Sequence, residues 1–191
     1  MIKYLLAASV ILFSACNNTT TEKPVVQDTV VEEKPSFIPV TSYIKGQILE
    51  ITQRGITPMK FVTINGHTDS ALVKFDALTD FLQEFLQPRI DSLNLTPFFS
   101  ESKFLDQTIN AFTFTYNLKA KLPDSIPLTH WDLYIDPETN KIKRVYMIKK
   151  SGNNILQLTW QSNEWCQVTT ISNTPGGPSK VEKEEKVLWV Y

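Results

Sequence analysis

The chain of 191 residues carries 19 basic and 20 acidic side chains, which gives a formal net charge of −1 at pH 7. This balance argues against a nucleic-acid partner, because proteins that bind nucleic acids need a strong excess of basic residues. With 42% hydrophobic and 20% charged residues, the composition is that of one ordinary globular domain with a short additional segment.

The first residues combine a positive start, an apolar run and two small residues before a cysteine. Lys3 precedes the ten-residue run Tyr4–Phe13, which is too short to span a bilayer and suits a signal peptide. The sequence Phe13-Ser14-Ala15-Cys16 resembles the bacterial lipobox, in which the cysteine receives the lipid. The resemblance implies that residues 1–15 are removed and that Cys16 anchors the chain to a membrane. A plain secretory signal and an N-terminal core helix are the alternatives.

The segment that follows Cys16 is polar and contains no aromatic residue as far as Pro35. Such a composition cannot bury enough apolar surface to offset the entropy of ordering the chain. We therefore predict a disordered tether over residues 16–36, including the lipidated cysteine, and a globular domain over residues 37–191. About 20 flexible residues span roughly 25 Å, which holds the domain clear of the lipid headgroups.

Two stretches of the globular domain have helical periodicity. Thr41-Ser42 offers an N-cap for a short helix at Tyr43–Ile51, where isoleucines recur at helical spacing. Gly46 weakens this prediction, and a strand is the alternative. The main helix is predicted at Phe75–Leu86, which has one continuous apolar stripe. Its polar stripe is interpreted as a solvated face rather than as an acid–base pair, and consists of Asp76, Asp80 and Glu84.

Alternating apolar residues predict a mostly antiparallel sheet. Asn65-Gly66 suits a type I′ turn and joins Phe61–Ile64 to Thr68–Val73. An irregular connection is predicted at Leu93–Asp106. Further strands are predicted at Thr108–Leu118, Trp131–Ile135, Ile142–Ile148, Ile155–Trp160, Trp165–Ile171 and Val187–Tyr191. The hairpin at Asn65-Gly66 is expected to be shortened where the main helix starts, so fewer strands than these eight stretches are expected in the sheet. We predict an α+β domain with five to seven strands and with the main helix and the short N-terminal helix packed on one face.

Catalytic and metal-binding motifs are missing from the sequence. His67 and His130 are the only histidines, and neither has a histidine or cysteine within four residues, as a zinc site usually requires. Hydrolase motifs and phosphate-binding glycine loops are also missing. We expect no metal, no cofactor and no enzymatic activity. The alternative is an active site assembled from distant residues, drawn from the two histidines, Asp132 and Asp136.

Positive charge is concentrated in one predicted hairpin. Lys143 and Arg144 lie there with Lys141, Lys149 and Lys150, all within ten residues. Such a cluster suits anionic lipid headgroups or an acidic protein. A solvated face, or an edge strand protected by charge, is the alternative. Lys143 and Arg144 are therefore candidates for a partner surface.

The tryptophans of the predicted sheet form a second group of candidates. Three of the predicted strands contain a tryptophan at one end: Trp131, Trp160 and Trp165. Large aromatic side chains in a sheet normally pack in the core. An open aromatic groove for a peptide, a glycan or an acyl chain is the alternative, because ligand sites are also lined by aromatic side chains.

Several stretches resemble known bacterial proteins. The lipobox, the tether, the segment Tyr43–Ile48 and Asn65-Gly66 together resemble the small uncharacterised lipoproteins that are abundant in Bacteroidota. The stretch Asp136-Pro137-Glu138-Thr139-Asn140-Lys141 also resembles the hairpin of PepSY-type domains, in which Asp-Pro-x-Thr-Gly-Lys is common; here Asn140 replaces the glycine. Surface-exported lipoproteins of Bacteroidota carry an acidic run after the lipidated cysteine, and Asn17–Thr20 lacks one. The resemblance thus implies an outer-membrane position facing the periplasm.

These observations predict a non-catalytic binding or scaffold module of the cell envelope, anchored to the membrane through its N-terminal lipid. Its expected partner is an envelope protein or polymer, because a tethered domain has a high effective concentration toward neighbours at the same membrane. One alternative is a carrier of a lipid or another apolar ligand, which requires a cavity of some 300 Å³ or more between helix and sheet. An envelope enzyme without a recognisable motif is the other. The sequence leaves the oligomeric state open.

Overall fold

The computed structural model describes residues 37–91, 93–173 and 177–189. All of them belong to a single unit, Lys34–Tyr191. The predicted signal peptide, the lipidation site Cys16 and the tether lie outside the described residues. Within the described ranges, no helix has both the length and the apolar character needed to cross a membrane.

Within the described residues, nine strands pair antiparallel in one continuous sheet, in the order β2-β1-β9-β8-β7-β6-β5-β4-β3. The strands are β1 (Met59–Ile64), β2 (His67–Leu72), β3 (Phe99–Asp106), β4 (Ala111–Leu118), β5 (Leu128–Ile135), β6 (Ile142–Ser151), β7 (Asn154–Gln161), β8 (Trp165–Ser172) and β9 (Lys180–Leu188). From β3 to β9 the chain forms a meander in which each strand pairs with the next one in sequence. The α+β class is confirmed.

The prediction of five to seven strands is wrong, and two of the nine strands show why. β3 lies within the predicted irregular connection, because an edge strand with six consecutive exposed residues has no apolar alternation to detect. β9 begins inside a run of charged residues, and only its end overlaps the strand predicted at Val187–Tyr191. Its charges find cross-strand partners, as in the 2.9 Å ion pair between Lys60 Nζ and Glu185 Oε1.

In the part of the chain that the structure describes, two α-helices precede the meander. The first, α1 (Val40–Gln53), contains the predicted short helix and extends it at both ends. The predicted main helix divides into a 3-10 turn at Phe75–Leu78 and α2 (Thr79–Leu86). A short 3-10 turn at Leu93–Leu95 leads into β3.

Specific contacts join the helices to the sheet. The Tyr43 hydroxyl of α1 donates a hydrogen bond of 2.6 Å to Ser162 Oγ in the turn between β7 and β8. In α2, the Phe85 ring meets the Trp160 ring of β7 edge-on, with 5.4 Å between the ring centroids. Both contacts join residues far apart in the sequence, so they connect the first third of the domain to the meander.

The core is a set of aligned side chains on one face of the central strands. Register places Tyr116, Trp131, Met147, Leu158 and Val168 side by side across β4 to β8, and each is at most 5% exposed. The Trp131 ring stacks on Tyr116 with a centroid distance of 4.4 Å. Burial of this row explains the apolar alternation that the sequence shows in these strands.

Two turns confirm local predictions. Asn65 and Gly66 have φ angles of 51° and 81°, as a type I′ turn requires at both central positions. Asn140 has a φ of 54° and stands where the PepSY-type pattern has glycine. Asparagine tolerates this left-handed conformation better than most residues, so Asn140 suits this position of the turn.

Candidate functional site

The face of the sheet opposite the buried row carries mostly polar side chains, and we call it the polar face. It is built from the alternate residues of the same strands, which point away from the core. Two aligned rows define its centre: Asn117, His130, Ile148, Gln157 and Thr169 in one, and Thr115, Asp132, Tyr146, Thr159 and Gln167 in the other.

A hydrogen-bonded network links β4 and β5 at the centre of the polar face. His130 Nδ1 lies 2.9 Å from Asn117 Oδ1, and His130 Nε2 lies 3.0 Å from Asp132 Oδ2. The Tyr146 ring approaches the imidazole edge-on, with a centroid distance of 6.3 Å. Both ring nitrogens of His130 are thus occupied by protein oxygens, which fixes the orientation of the ring.

Asp132 is the most buried member of this network, with 9% of its surface exposed. Burial by itself raises the pKa of the carboxyl group, but the hydrogen bonds and the charge of His130, with the nearby Thr115 hydroxyl, outweigh burial and hold the pKa below its usual value. Asp132 is therefore ionised at neutral pH. The hydroxyl groups of Thr115 and Tyr134 also contribute hydrogen bonds to this carboxylate, so Asp132 is a fixed negative charge held beneath the surface of the polar face.

Two tyrosines stand beside this carboxylate. Burial raises the pKa of Tyr134 and of Tyr146, and the negative charge of Asp132 raises both further. Both phenols are therefore neutral at physiological pH and keep the hydroxyl proton, and the Tyr134 hydroxyl donates to the Asp132 carboxylate. The centre of the polar face thus combines a fixed anion with neutral donors and aromatic rings.

An open pocket of about 310 Å³ adjoins this network at the end of β5. Arg144 Nε donates a hydrogen bond of 2.9 Å to Gln161 Oε1, and the guanidinium lies 5.8 Å from the centroid of the Tyr134 ring. Lys143 Nζ donates a 3.4 Å hydrogen bond to the carbonyl oxygen of Ile109. The two cations are held by neutral partners, so their charge remains available to an anionic group in the pocket.

The structure divides the candidate surface residues into two groups. Trp131 and Trp160 are completely buried, and the prediction that they contribute to a surface is wrong. Protein rings surround them, among them Phe85 against Trp160. By contrast, Lys143 and Arg144 line the pocket, and Trp165 is half-buried one strand further, opposite Gln161 in the register. Whether these three bind a partner stays a prediction.

The four residues proposed for an alternative active site are only partly brought together. His130 and Asp132 are in contact, whereas His67 lies on β2, six positions away in the strand order. Asp136 lies in the turn after β5, where its Oδ1 accepts hydrogen bonds from the backbone N–H groups of Glu138 and Thr139, and so stabilises the turn. The described residues hold no group of three histidine, cysteine or acidic side chains that could bind a metal ion.

The geometry suits binding better than proton transfer. A general base needs a ring nitrogen directed at the substrate, but both nitrogens of His130 face protein oxygens. Sequence reasoning missed Asn117, Tyr146 and Gln161, which complete the network and the pocket. The signal for these residues is the polar half of the alternation in each strand.

The comparisons with other proteins add no homologue to this description. No protein family, no curated protein and no solved structure matches the chain.

Proposed function

We propose that this protein is a membrane-anchored binding or scaffold module of the cell envelope, and that its partner docks on the polar face. The observation that carries the proposal is the arrangement around Asp132: an ionised carboxylate, fixed by His130, beside the neutral tyrosines Tyr134 and Tyr146. The carboxylate gives the polar face a fixed negative charge, and the hydroxyl and amide side chains around it can donate and accept hydrogen bonds. A partner with complementary hydrogen-bonding groups can pair with them.

The core face of the sheet, opposite the polar face, also supports docking of a partner on the polar face. We infer that α1 and α2 together cover this face as the structural side of the domain, since Phe85 of α2 meets Trp160 there and Ile44 of α1 is fully buried in the same core. The polar face is then the side of the sheet on which a partner finds hydrogen-bonding groups, aromatic edges and the cationic pocket around Arg144. An envelope protein or polymer with hydroxyl or amide groups matches this surface.

The anchor belongs to the same proposal. Lipidation at Cys16 and a tether of about 20 residues hold the domain at the outer membrane, facing the periplasm, and raise its effective concentration toward partners there. Treatment with globomycin and a Cys16→Ser substitution, each followed by membrane fractionation, test the anchor. A Cys16→Ser chain that stays membrane-bound and is processed normally contradicts it.

Crosslinking and pull-down from the membrane fraction test the docking face. The wild-type chain is compared with Asp132→Ala and Tyr146→Ala, and with Thr68→Ala as the matched control. Thr68 lies on the same side of the sheet but at its β2 edge. We expect the two central substitutions to reduce recovery of a specific partner by roughly tenfold, the scale of an interface hot spot, and the control to leave it unchanged. Equal recovery with all four chains contradicts the proposal.

The same experiment separates the lipid-carrier alternative. A carrier should co-purify with a lipid that mass spectrometry detects, and its tryptophan fluorescence should shift when the lipid is removed. The buried ring of Trp131 stacks on Tyr116 and meets Phe37 and Phe99 edge-on, so an apolar ligand near this ring has to displace side chains. Recovery of a lipid together with no protein or polymer partner favours the carrier over the binding module.

A further inference from the structure

The strand β3 forms one edge of the sheet and is exposed along most of its length. In the described part of the chain it pairs with β4 alone, and residues 100–105 are all exposed. Two of them are large apolar side chains, Phe104 at 53% and Leu105 at 47% exposed. An apolar edge of this kind is unusual in a stable monomer.

Exposed edges present unpaired backbone N–H and C=O groups that can pair with another strand. Proteins normally protect such edges with proline, with a β-bulge or with charges. β3 contains no proline, and its register against β4 runs without a bulge from Phe99 to Asp106. Its central charges are Glu101 and Lys103, one of each sign, so they do not repel a second copy of the same strand.

The order of these charges makes β3 complementary to itself. Two antiparallel copies related by a two-fold axis at Ser102 place Glu101 of each copy opposite Lys103 of the other. Opposite charges directly across a sheet are favourable, and like charges are unfavourable. Shifting the axis to residue 101 or to residue 103 places two glutamates or two lysines opposite each other. Charge therefore selects the register centred on Ser102.

The backbone of β3 is compatible with this register. The N–H of Lys119 donates a hydrogen bond to the carbonyl oxygen of Phe98, so the even-numbered residues of β3 direct their backbone groups toward β4. The odd-numbered residues then direct theirs outward, because these directions alternate along a strand. An axis at Ser102 pairs odd residues with odd residues, and their outward N–H and C=O groups meet.

The same register covers the exposed apolar side chains. Leu105 comes to lie opposite Phe99 of the second copy, and Phe104 opposite Ser100. The other edge of the sheet, β2, offers no such match, because Asp69 is its only acidic residue and it contains no lysine or arginine. We propose that two copies of this chain associate through β3, about a two-fold axis at Ser102, into one sheet that is continuous through both copies.

A Ser102→Cys substitution in the full chain tests the register. Directly opposite residues of a non-hydrogen-bonded antiparallel pair have Cα atoms about 4.5 Å apart, within the range of about 4.4–6.8 Å that a disulfide needs. Produced in an oxidising compartment, this variant should run as a disulfide-linked dimer on a non-reducing gel. Ser70→Cys, at the β2 edge, is the matched control and should remain monomeric. The native Cys166 is buried and is present in both. Absence of the Ser102→Cys dimer, or an equal yield from Ser70→Cys, overturns the proposal.

Charge exchange provides the second test. Added to Ser102→Cys, either Glu101→Lys or Lys103→Glu places like charges opposite each other and should reduce the dimer yield by roughly tenfold. Mixing these two chains, labelled with different tags, should restore the yield as a mixed dimer, because each then meets the opposite charge. Unchanged thermal unfolding of both chains shows that they are folded. A mixture that forms no more dimer than each chain alone contradicts the register. Asp132→Ala, which alters the polar face, should leave the dimer intact, so the two proposals can fail separately.

Discussion

Nε2 of His130 and Oδ2 of Asp132 lie 3.0 Å apart on a single strand, two residues from each other in the sequence. Their side chains point to the same side of β5 because alternate residues of a strand share a face. Asn117 on the neighbouring strand occupies the other ring nitrogen. The network therefore depends on the strands themselves and is independent of loop conformation.

Asp132→Asn should lower the free energy of unfolding at pH 7 by roughly 1.5–3 kcal/mol, the usual scale for a hydrogen bond to a charged group. Folding lowers the pKa of Asp132. The carboxylate therefore stabilises the fold above its unfolded pKa of about 3.9, and this contribution disappears as the pH falls through the folded pKa. Urea denaturation at pH 7 and at pH 3 measures both effects. The difference in the free energy of unfolding between wild type and Asp132→Asn should close at low pH. Asp69→Asn, on exposed β2, should not differ from wild type. A difference between wild type and Asp132→Asn that is the same at both pH values contradicts this.

Alanine substitution should raise the stability of the protein at one glycine, Gly46, and lower it at another, Gly66. An added Cβ at Gly46 or at Gly66 meets no atom of the described residues within 4 Å, so these residues do not crowd it at either position. Gly66 has a φ of 81°, which alanine adopts at a cost of roughly 1–2 kcal/mol. Gly46 lies inside α1, where alanine is favoured by roughly 0.5–1 kcal/mol. Thermal unfolding should therefore show a lower midpoint for Gly66→Ala and a higher one for Gly46→Ala. Two shifts of the same sign contradict this assignment.

The features predicted correctly from the sequence are those with a local cause. The Asn65-Gly66 turn depends on two residues that accept positive φ, and the stripe of α2 depends on spacing within one helix. β3 and β9 have no such local signal. The charges of β9 are stabilised by strands distant in sequence, such as Lys60 of β1 against Glu185, so a local reading assigns them to a loop.

The residues of the candidate site also depend on contacts between strands that the local sequence does not determine. Trp160 and Trp165 are both aromatic and only five residues apart, yet Trp160 is in the core and Trp165 is on the other side of the sheet. The hairpin register decides this, since Trp160 pairs with Cys166 and Gln161 pairs with Trp165. A shift of one residue in a turn moves every following side chain to the opposite face. The sequence alone does not determine that register.

Phe85→Ala should destabilise the protein by about 3–5 kcal/mol, because it removes a buried ring that is 1% exposed. Part of this loss of stability should come from the contact between the Phe85 and Trp160 rings. A double-mutant cycle with Trp160→Phe should give a coupling of roughly 0.5–1.5 kcal/mol, as expected for an edge-on aromatic pair. Leu72→Ala, at a side chain that is 63% exposed, should change stability by less than about 0.5 kcal/mol. A coupling of zero contradicts the docking of α2 on β7.

Lys149 differs from the other cations of its hairpin because it is buried, with 3% of its surface exposed. Its Nζ donates a hydrogen bond to the backbone carbonyl of Glu84 in α2 and lies 3.3 Å from the carboxylate of the same residue. The interpretation of this charge as part of a solvated face is therefore wrong. Burial lowers the pKa of Lys149, and the negative charge of Glu84 offsets only part of that effect.

A lysine with a lowered folded pKa makes stability depend on pH in a defined direction. Between the folded pKa and the unfolded value of about 10.4, the unfolded chain binds more protons, so the free energy of unfolding rises with pH. Lys149→Met removes the buried charge and keeps an apolar side chain, which is often close to neutral for stability. We therefore expect wild type and Lys149→Met to have similar free energies of unfolding at pH 7. As the pH approaches 10, the free energy of unfolding of wild type should rise relative to that of the variant. Urea denaturation at several pH values measures the difference, with Lys150→Met on the exposed neighbour as the control. A difference between wild type and Lys149→Met that does not change with pH contradicts the prediction.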